Sequence, residues 1–180
     1  MSGTLLEGAS FRPAGEIDKD VPDAFGVYAI RLAGGVELPE PFETLLSVRR
    51  TRLIYIGKGT SLKKRMLGNE LRGCGHGTFF RSVGAVLGYR PLAGSLASKA
   101  NKYNFSFQKQ DREAIVGWIN ANLEVNWVVL PEADVRATEA ALILDQAPLL
   151  NLDGNPRALV ELDELRGLCR ILASGPASLS

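Results

Sequence analysis

Residues 53–65 read LIYIGKGTSLKKR, and this stretch contains the strand, turn and helix on which the predicted fold depends. Its first four residues are aliphatic, aromatic or β-branched without a breaker, a pattern that predicts a buried strand. Gly57 and Gly59 follow, and a residue without Cβ lets the backbone turn and lie close to a ligand. Thr60 or Ser61 can then cap a helix that carries three cations in its first two turns.

The predicted turn and helix would present backbone N–H groups together with the side chains of Lys63, Lys64 and Arg65. Such an arrangement suits a phosphate group, which binds to helix N-termini and to charged donors. An ordinary strand-to-helix connection with a solvated basic face would produce the same pattern. This stretch alone does not separate the two interpretations.

The composition is that of an ordinary globular protein with one domain. The 180 residues are 46% hydrophobic and 23% charged, and no run approaches the roughly 18 apolar residues of a membrane span. The N-terminus lacks the basic and apolar regions of a secretion signal, and two cysteines are too few for a disulfide framework. We therefore expect a cytoplasmic protein without membrane contact.

The net charge of +1 conceals a segregation of charge along the chain. Residues 49–109 contain thirteen lysines and arginines and one acid, Glu70, which gives this segment +12 and leaves −11 for the rest. A positive field of this size predicts a polyanionic partner such as nucleic acid. The acidic flanks could instead fold back and neutralise the basic segment, but we favour the polyanion.

Three stretches predict strands, and helices are predicted around them. The strands are expected at 25–32, 49–56 and 124–130, and the helices at 61–71, 79–87, 111–122 and 135–146, with a last helix opening at Pro156. The first two strands follow each other without a crossover helix, which indicates an antiparallel pair. We predict an α/β (α+β) sandwich with a small three-stranded, mainly antiparallel sheet flanked by helices.

The predicted organisation is an N-terminal arm at 1–24, a core at 25–155 and a C-terminal helix and tail at 156–180. An insert at 33–48 joins the first two strands. Two glycines and two prolines punctuate it, so we expect a loop with one helical turn there.

Glu139 is an anomaly on the helix predicted at 135–146. Its neighbours at i−4, i+3 and i+4 are Val135, Leu142 and Ile143, so the carboxylate lies beside an apolar face. A buried, unpaired carboxylate is costly, and a counter-ion or a metal is the usual remedy. Mg²⁺ suits a single carboxylate because it keeps waters and also binds phosphate oxygens. The margin of a solvated helix face is the alternative.

Tyr28 and Tyr55 lie on predicted strands, where a buried aromatic residue is the simplest interpretation. Proton transfer by either phenol would require its pKa to fall from about 10 toward neutrality. Lys58 and Arg65 could lower the pKa in this way if they lie nearby.

Asn151 and His76 lie in predicted loops. Turn chemistry alone could explain Asn151, which lies in the sequence PLLNLDGNP. His76 is the only histidine and lies between glycines, so it could be a surface residue, a general base or a phosphate ligand. Cys74 and His76 lack the partners that a structural zinc site needs, and we set zinc aside.

Together these residues resemble the GIY-YIG nuclease family. Gly26-Val27-Tyr28 resembles the first signature triplet, with valine in place of isoleucine, and Tyr55-Ile56-Gly57 matches the second. Leu62 to Arg65 resembles the start of the helix that bears the family's arginine. Glu139 resembles the metal-binding glutamate, and residues 148–151 resemble the closing asparagine motif. The resemblance is specific because these elements occur in the family's order.

The resemblance implies a divalent-metal-dependent DNA endonuclease that hydrolyses phosphodiester bonds with Mg²⁺ or Mn²⁺. The catalytic residues would be Tyr28, Tyr55, Arg65, Glu139 and Asn151. In this scheme Glu139 holds the metal, Arg65 binds the scissile phosphate and Tyr28 is the base for the attacking water. Tyr55 would position or assist, and Asn151 would brace the site.

Contacts to phosphate and DNA are predicted for six residues: Gly57, Lys58, Lys63, Lys64, His76 and Arg81. By the family's pattern Lys58 would also lower the local pKa. This chain departs from the family in two respects. The connection between the signature tyrosines is longer than in the shortest members, and Asn69 stands where some relatives carry a histidine. A catalytic role for His76 therefore stays open.

The sequence leaves the substrate open among duplex, branched and damaged DNA, in restriction, repair or mobile elements. Specificity could come from the insert, from a homodimer or from a protein partner. The alternative function is a catalytically inactive nucleic-acid-binding module with the same fold. A structural or protein-interaction domain that has kept only the fold is a third possibility.

Overall fold

The computed structural model of the protein describes residues 5–176. Residues 1–4 of the predicted arm and residues 177–180 of the predicted tail lie outside the described residues. Within the described range the chain forms an antiparallel sheet with helices packed on both of its faces.

The sheet consists of four strands: β1 (Arg12–Pro13), β2 (Gly26–Leu32), β3 (Leu53–Gly59) and β4 (Leu123–Val129). Their order is β1-β4-β2-β3, and every neighbouring pair is antiparallel. The α+β class and the antiparallel pairing are thus confirmed, but the predicted number of three strands is wrong by one. β1 escapes prediction because two residues, one of them proline, carry no alternating pattern.

The longer helices of the described chain surround this sheet. They are α1 (Phe42–Arg49), α2 (Lys63–Leu71), α3 (Thr78–Val86), α4 (Lys109–Asn122), α5 (Glu132–Gln146) and α6 (Val160–Ser174). α2 is a π-helix, in which the N–H of residue i+5 donates to the carbonyl of residue i. This wide helix follows directly from the glycine turn after β3.

Two predicted boundaries are displaced by four residues, each for a local reason. The second strand begins later than Arg49, because Arg49 completes α1 and Arg50 then adopts a left-handed conformation with φ of 52°. The insert therefore contains a helix of about two turns rather than one. The last helix begins at Val160, because the Asn155 side chain first organises a turn by accepting from the N–H of Arg157.

β2 is buried on both faces, and its side chains alternate between two apolar clusters. Val27 and Ala29 belong to the cluster under α5, whereas Tyr28 and Ile30 belong to the larger cluster packed by α2, α3 and α4. This alternation follows from the two-residue period of a strand. Tyr55 of β3 joins the larger cluster, so both signature tyrosines lie on the same side of the sheet.

The insert helix α1 is fastened to a distant part of the chain. The Arg49 guanidinium donates to the carbonyl of Ala147 at 2.5 Å and also to the carbonyl of Arg157. Ala147 ends α5 in a left-handed conformation with φ of 43°. Arg49 thereby holds both ends of the segment 147–157, which contains Asn151.

Gly57 pairs with Tyr28 across β2 and β3, and the contact leaves room for glycine alone. A Cβ at Gly57 would lie 2.5 Å from both the hydroxyl oxygen and a ring carbon of Tyr28. The space that a side chain would fill is therefore occupied by the tyrosine ring. The absence of Cβ at this position serves the packing of Tyr28.

Gly57→Ala should lower the free energy of unfolding by about 2–3 kcal/mol, because the added methyl group overlaps the buried ring. Gly117, exposed on α4 with open space around its Cβ position, provides the matched control. Gly117→Ala should raise stability by about 0.5–1 kcal/mol through helix propensity. Urea denaturation measures both effects, and equal stability of the two variants would contradict the close packing at Gly57.

Candidate active site

Tyr28, Tyr55 and Arg65 meet where β2 begins and β3 ends. The ring centroids of the two tyrosines are 6.3 Å apart. The Arg65 guanidinium on α2 lies close enough to act electrostatically on both phenols. Gly59 permits this approach, because a Cβ there would lie only 2.8 Å from that of Arg65. The structure thus brings these three candidate residues together.

Glu70, which the sequence patterns do not single out, is the ion-pair partner of Arg65. The guanidinium and carboxylate approach to 2.9 Å. The two residues are five positions apart and would point to different sides of an α-helix, but in a π-helix residue i+5 lies over residue i. The one signal in the sequence is that Glu70 is the single acid of the basic segment 49–109.

Glu70 is fully buried and is held by the start of α3. Its carboxylate accepts from the N–H groups of Thr78 and Phe80 at 3.2 Å each. Gly77 leaves room for this contact, since a Cβ there would lie 2.5 Å from Glu70 Oε2. Burial raises the pKa of Glu70 above its usual value, while Arg65 and the two N–H groups oppose the rise. One carboxylate thus joins α2, α3 and the guanidinium.

The Tyr28 hydroxyl is buried and has no hydrogen-bond partner among the described residues. The Arg65 guanidinium favours the phenolate through its charge and through a close donor contact, although this contact does not meet the geometry of a full hydrogen bond. Burial is the main cause that raises the pKa of Tyr28 well above its usual value, and it also raises the pKa of Tyr55. Arg65 opposes the rise at both phenols, as expected of a nearby cation, but burial outweighs it and the net pKa shift is upward.

Glu139 on α5 is in direct contact with Lys58 near the end of β3. The Glu139 side chain is 16% exposed, so the carboxylate lies at the mouth of the site rather than in the core. Its negative charge contributes to the raised pKa of Tyr55. Glu139 and Tyr55 therefore lie close enough for their charges to interact.

The oxygen donors at this site fit a cation that needs few protein ligands. Within residues 5–176 there is no group of three or more His, Cys, Asp or Glu side chains that could enclose a metal. Mg²⁺ keeps several waters and is bound by one or two carboxylates together with substrate phosphates. Glu139 satisfies that requirement, and Lys58 is its counter-ion in the structure.

Asn151 closes the outer edge of β3. Its Oδ1 accepts from the N–H of Ile56 at 2.9 Å, and its Nδ2 donates to the carbonyl of the same residue at 2.8 Å. The N–H of Leu150 donates to the carbonyl of Ile54 at 2.8 Å, so the segment continues the hydrogen bonding of the sheet. Backbone groups of the edge that would otherwise lack partners are satisfied in this way. Asn151 thus fixes the strand that carries Tyr55.

A groove with a volume of about 470 Å³ opens beside these residues. The cationic side chains in its wall are Lys58, Lys64, Arg65 and Arg136. Glu132 is the acid among the lining residues, and Phe25 adds an aromatic surface. The sequence does not single out Arg136, because it lies outside the basic segment, about one turn before Glu139 on α5.

Three of the other candidate residues for phosphate contact, Lys63, His76 and Arg81, do not line this groove. Lys63 and His76 are exposed but do not line it, and Asn69 does. The main-chain carbonyl of His76 accepts from Arg65 at 3.2 Å. Arg81 is buried on α3, where its charge interacts with that of Arg65.

Most of the positive charge of the segment 49–109 is not neutralised. Of its thirteen lysines and arginines, those that form ion pairs among the described residues are Lys58, Arg65, Arg72 and Lys109. The N-terminal arm contributes Asp18, the partner of Arg72. The acidic flanks therefore leave a positive surface that favours a polyanion.

A family model described as the GIY-YIG catalytic domain matches residues 26–167, which is more than half of the chain. The chain belongs to the GIY-YIG catalytic-domain family. A GIY-YIG domain is a nuclease domain that acts on nucleic acid, generally with a divalent metal ion. The comparisons with curated proteins and with solved structures gave no match. No helix within residues 5–176 of this GIY-YIG chain has the length and apolar character to traverse a bilayer.

Two substitutions of Glu70 should separate its charge from its hydrogen bonds. Glu70→Gln should cost about 1 kcal/mol or less, because the amide oxygen still accepts from the two N–H groups and the burial of the carboxylate offsets part of what the ion pair contributes. Glu70→Ala leaves the N–H groups of Thr78 and Phe80 without an acceptor and should cost about 2–4 kcal/mol. Urea denaturation of both variants provides the measurement.

The Glu70 carboxylate should also make the free energy of unfolding depend on pH. Because the folded-state pKa of Glu70 is raised, its contribution to stability is full below the unfolded-state pKa and is lost as pH rises through the folded-state pKa. The wild type should therefore lose stability relative to Glu70→Gln as pH rises above about 4.5. A relative gain over that range would show that Arg65, not burial, dominates the titration.

Proposed function

We propose that this GIY-YIG chain is a divalent-metal-dependent DNA endonuclease that hydrolyses phosphodiester bonds. The observation that carries the proposal is the placement of Arg65, which is held by Glu70 at 2.9 Å, acts on both phenols and also lines the basic groove. Glu139 and its partner Lys58 lie in the same neighbourhood. Phosphodiester hydrolysis needs such a set of groups, which stabilise negative charge, bind a metal and take up a proton.

Arg65 would bind the scissile phosphate. Its side chain is 33% exposed and lines the groove, while its contact with Glu70 fixes its orientation from the buried side. A guanidinium that is already oriented stabilises the charge developing on the phosphate oxygens without reorganising during the reaction. Its fork of donors also matches the geometry of a phosphate.

Glu139 would hold the metal ion, which we expect to be Mg²⁺ or Mn²⁺. When bound, the ion would supply Lewis-acid stabilisation of the phosphate. Lys58 is in contact with this carboxylate in the structure. A cation at this carboxylate would therefore compete with Lys58, whose ammonium group would then be available to a phosphate of the substrate.

Tyr28 would accept the proton of the attacking water. Its hydroxyl has no partner in the described chain, so its hydrogen-bonding capacity is free for a water molecule. The raised pKa makes the phenolate scarce at neutral pH, and Arg65 is the group of this chain that opposes the rise. Tyr55 would position the substrate or assist, and Asn151 would act as a positioning residue by fixing β3.

DNA would lie along the basic groove. Lys58, Lys64 and Arg136 line it, and Lys63 is exposed next to Lys64. His76, also exposed, would contact a phosphate near Arg65. Binding through such cations releases counter-ions from the DNA, so the affinity should fall steeply with salt.

The choice among duplex, branched and damaged DNA belongs to the same proposal. Each chain contributes one site, so cleavage of both strands would require a homodimer, a second protein or two successive events. Restriction and repair both use such cleavage. The free cysteines Cys74 and Cys169 support a reducing, cytoplasmic environment.

An inactive nucleic-acid-binding module is the second candidate function, and two observations favour it. Lys58 already neutralises Glu139, and both phenols have raised pKa values. Such a module would bind DNA with strong salt dependence and yield no metal-dependent product. Substitution of Glu139 would then leave the affinity of the protein for DNA unchanged.

The wild type with Mg²⁺ or Mn²⁺ should nick or cut DNA, and Arg65→Ala and Glu139→Gln should each lower the rate by about 100-fold or more. Asp134→Asn, a carboxylate substitution on the same helix at a residue that does not line the groove, is the matched control and should keep the wild-type rate. Gel assays on plasmid, branched, damaged and single-stranded DNA provide the measurement. Salt-dependent binding without cleavage of any of these substrates would support the inactive module.

The rate should rise with pH and show no plateau below about pH 9, because the phenol that must lose its proton has a raised pKa. Tyr28→Phe should remove this dependence together with most of the activity. The variant should fold as well as the wild type, since it loses only a buried hydroxyl without a partner. A plateau at neutral pH in the wild type would show that another group is the base.

A further inference from the structure

A second cavity, with a volume of about 460 Å³, lies apart from the basic groove and shares none of its lining residues within the described chain. One of its walls is α6, where Asp163, Arg166 and Arg170 follow one another at intervals of three and four residues and therefore share a face. Two loops complete the lining, one with residues 152–153 and the other with Tyr103. Three separate segments of the chain thus form this cavity.

The cavity gathers two carboxylates and two guanidinium groups without pairing them. The side chains of Asp153, Asp163, Arg166 and Arg170 form no ion pair and no hydrogen bond within residues 5–176. The Nε atom of Arg166 is also closed to solvent. A carboxylate only accepts hydrogen bonds and a guanidinium only donates them. The lining therefore suits a ligand that has donors at one place and acceptors at another.

Tyr103 adds a flat, apolar surface to this polar lining. The residue is 57% exposed, and the Arg170 guanidinium lies 4.8 Å from the centre of its ring. Aromatic rings and guanidinium planes are the two kinds of side chain on which nucleic-acid bases stack. The cavity thus combines a stacking surface with groups that can read the edge of a base.

Simple ions and paired DNA fit this lining poorly. A cation would meet two guanidinium groups, and within residues 5–176 no cluster of three acidic, histidine or cysteine side chains could hold a metal. An inorganic anion would meet two carboxylates. In a duplex the faces and pairing edges of each base are already occupied. An unpaired nucleotide offers a free face, a free edge with donors and acceptors, and a phosphate.

The cavity adjoins the strand that carries Tyr55. Its lining residues 152–153 directly follow Asn151, whose amide is hydrogen-bonded to the main chain of β3. The charges of Arg166 and Tyr55 also interact. A nucleotide in the cavity would therefore lie on the side of β3 that the asparagine segment covers, close to the proposed site of hydrolysis.

We propose that this cavity binds one unpaired nucleotide of the DNA, with its base stacked on Tyr103, and that it prefers guanine. The N1–H and amino groups of guanine can donate to a carboxylate while O6 and N7 accept from a guanidinium, whereas thymine has no amino group. The assignment to DNA rests on the proposed function, but the binding of a nucleotide does not. Branched or damaged DNA, in which a base can leave the stack, would then be favoured over intact duplex.

Mononucleotides test the cavity without metal or DNA. In the presence of a chelator, deoxyguanosine monophosphate should bind in calorimetric titrations about tenfold more tightly than thymidine monophosphate. Tyr103→Ala should lose most of this binding, and Tyr103→Phe should retain it because the ring stays. A wild type that binds neither nucleotide, or equal binding by the wild type and Tyr103→Ala, would overturn the proposal.

A substitution of Asp163 distinguishes recognition of the base from a structural role. Asp163→Asn removes a carboxylate acceptor, so the ratio of the two mononucleotide affinities should fall toward one. Glu164→Gln is the matched control, because Glu164 is an exposed acid on the same helix that does not line the cavity. This control should keep the wild-type ratio. An unchanged ratio in Asp163→Asn would contradict the proposed preference for guanine.

DNA with one extrahelical guanine tests whether the nucleotide belongs to DNA. Without metal, the wild type should bind this duplex about tenfold more tightly than the fully paired duplex, since one stacked base adds that much affinity. Tyr103→Ala should bind both duplexes as the wild type binds the paired one. Equal affinity of the wild type for the two duplexes would overturn the assignment to DNA and leave a pocket for free mononucleotides.

Cleavage assays separate this inference from the nuclease proposal. A chain that prefers the extrahelical guanine but cuts no DNA with Mg²⁺ or Mn²⁺ would contradict the nuclease proposal and support the nucleotide cavity. A chain that cuts DNA, while Tyr103→Ala matches the wild type in its affinity for the extrahelical duplex, would contradict the cavity alone.

Discussion

The ion pair between Arg65 and Glu70 is the contact on which the site depends. It exists because α2 is a π-helix, which places two residues five positions apart over one another. The same carboxylate accepts from the N–H groups of Thr78 and Phe80, so one buried side chain sets the position of α3 relative to the cation. In a regular α-helix the guanidinium would lose this anchor and turn with its neighbours toward solvent.

Sequence patterns predict the parts of the site that follow simple rules. Alternation and signature glycines locate β2 and β3, and the apolar neighbours of Glu139 are enough to mark this carboxylate as unusual. Glu70 and Arg136 are not predicted, because one needs a π-helical spacing and the other comes close only after the chain has folded. The two-residue strand β1 is not predicted either, because its pairing with β4 is decided by tertiary contact.

The buried side-chain atoms that lack a partner among the described residues are the Tyr28 hydroxyl and the Nε atoms of Arg81 and Arg166. All of these residues interact with Tyr55, through ring proximity or through charge. Unsatisfied buried groups are rare in native proteins, and their concentration around one phenol is typical of a functional site. The same groups lower the stability of the free protein, which is a common consequence of building a reactive site.

The insert also takes part in this arrangement, although it lies far from the tyrosines in sequence. Arg49 at the end of α1 binds carbonyl oxygens at both ends of the segment 147–157, and Asn151 within that segment supports β3. The insert helix therefore helps to hold the segment 147–157 in place. If the connection between Tyr28 and Tyr55 were shorter and lacked α1, another group would have to hold the segment 147–157. In this chain the length of the insert and the rigidity of β3 are therefore mechanically coupled.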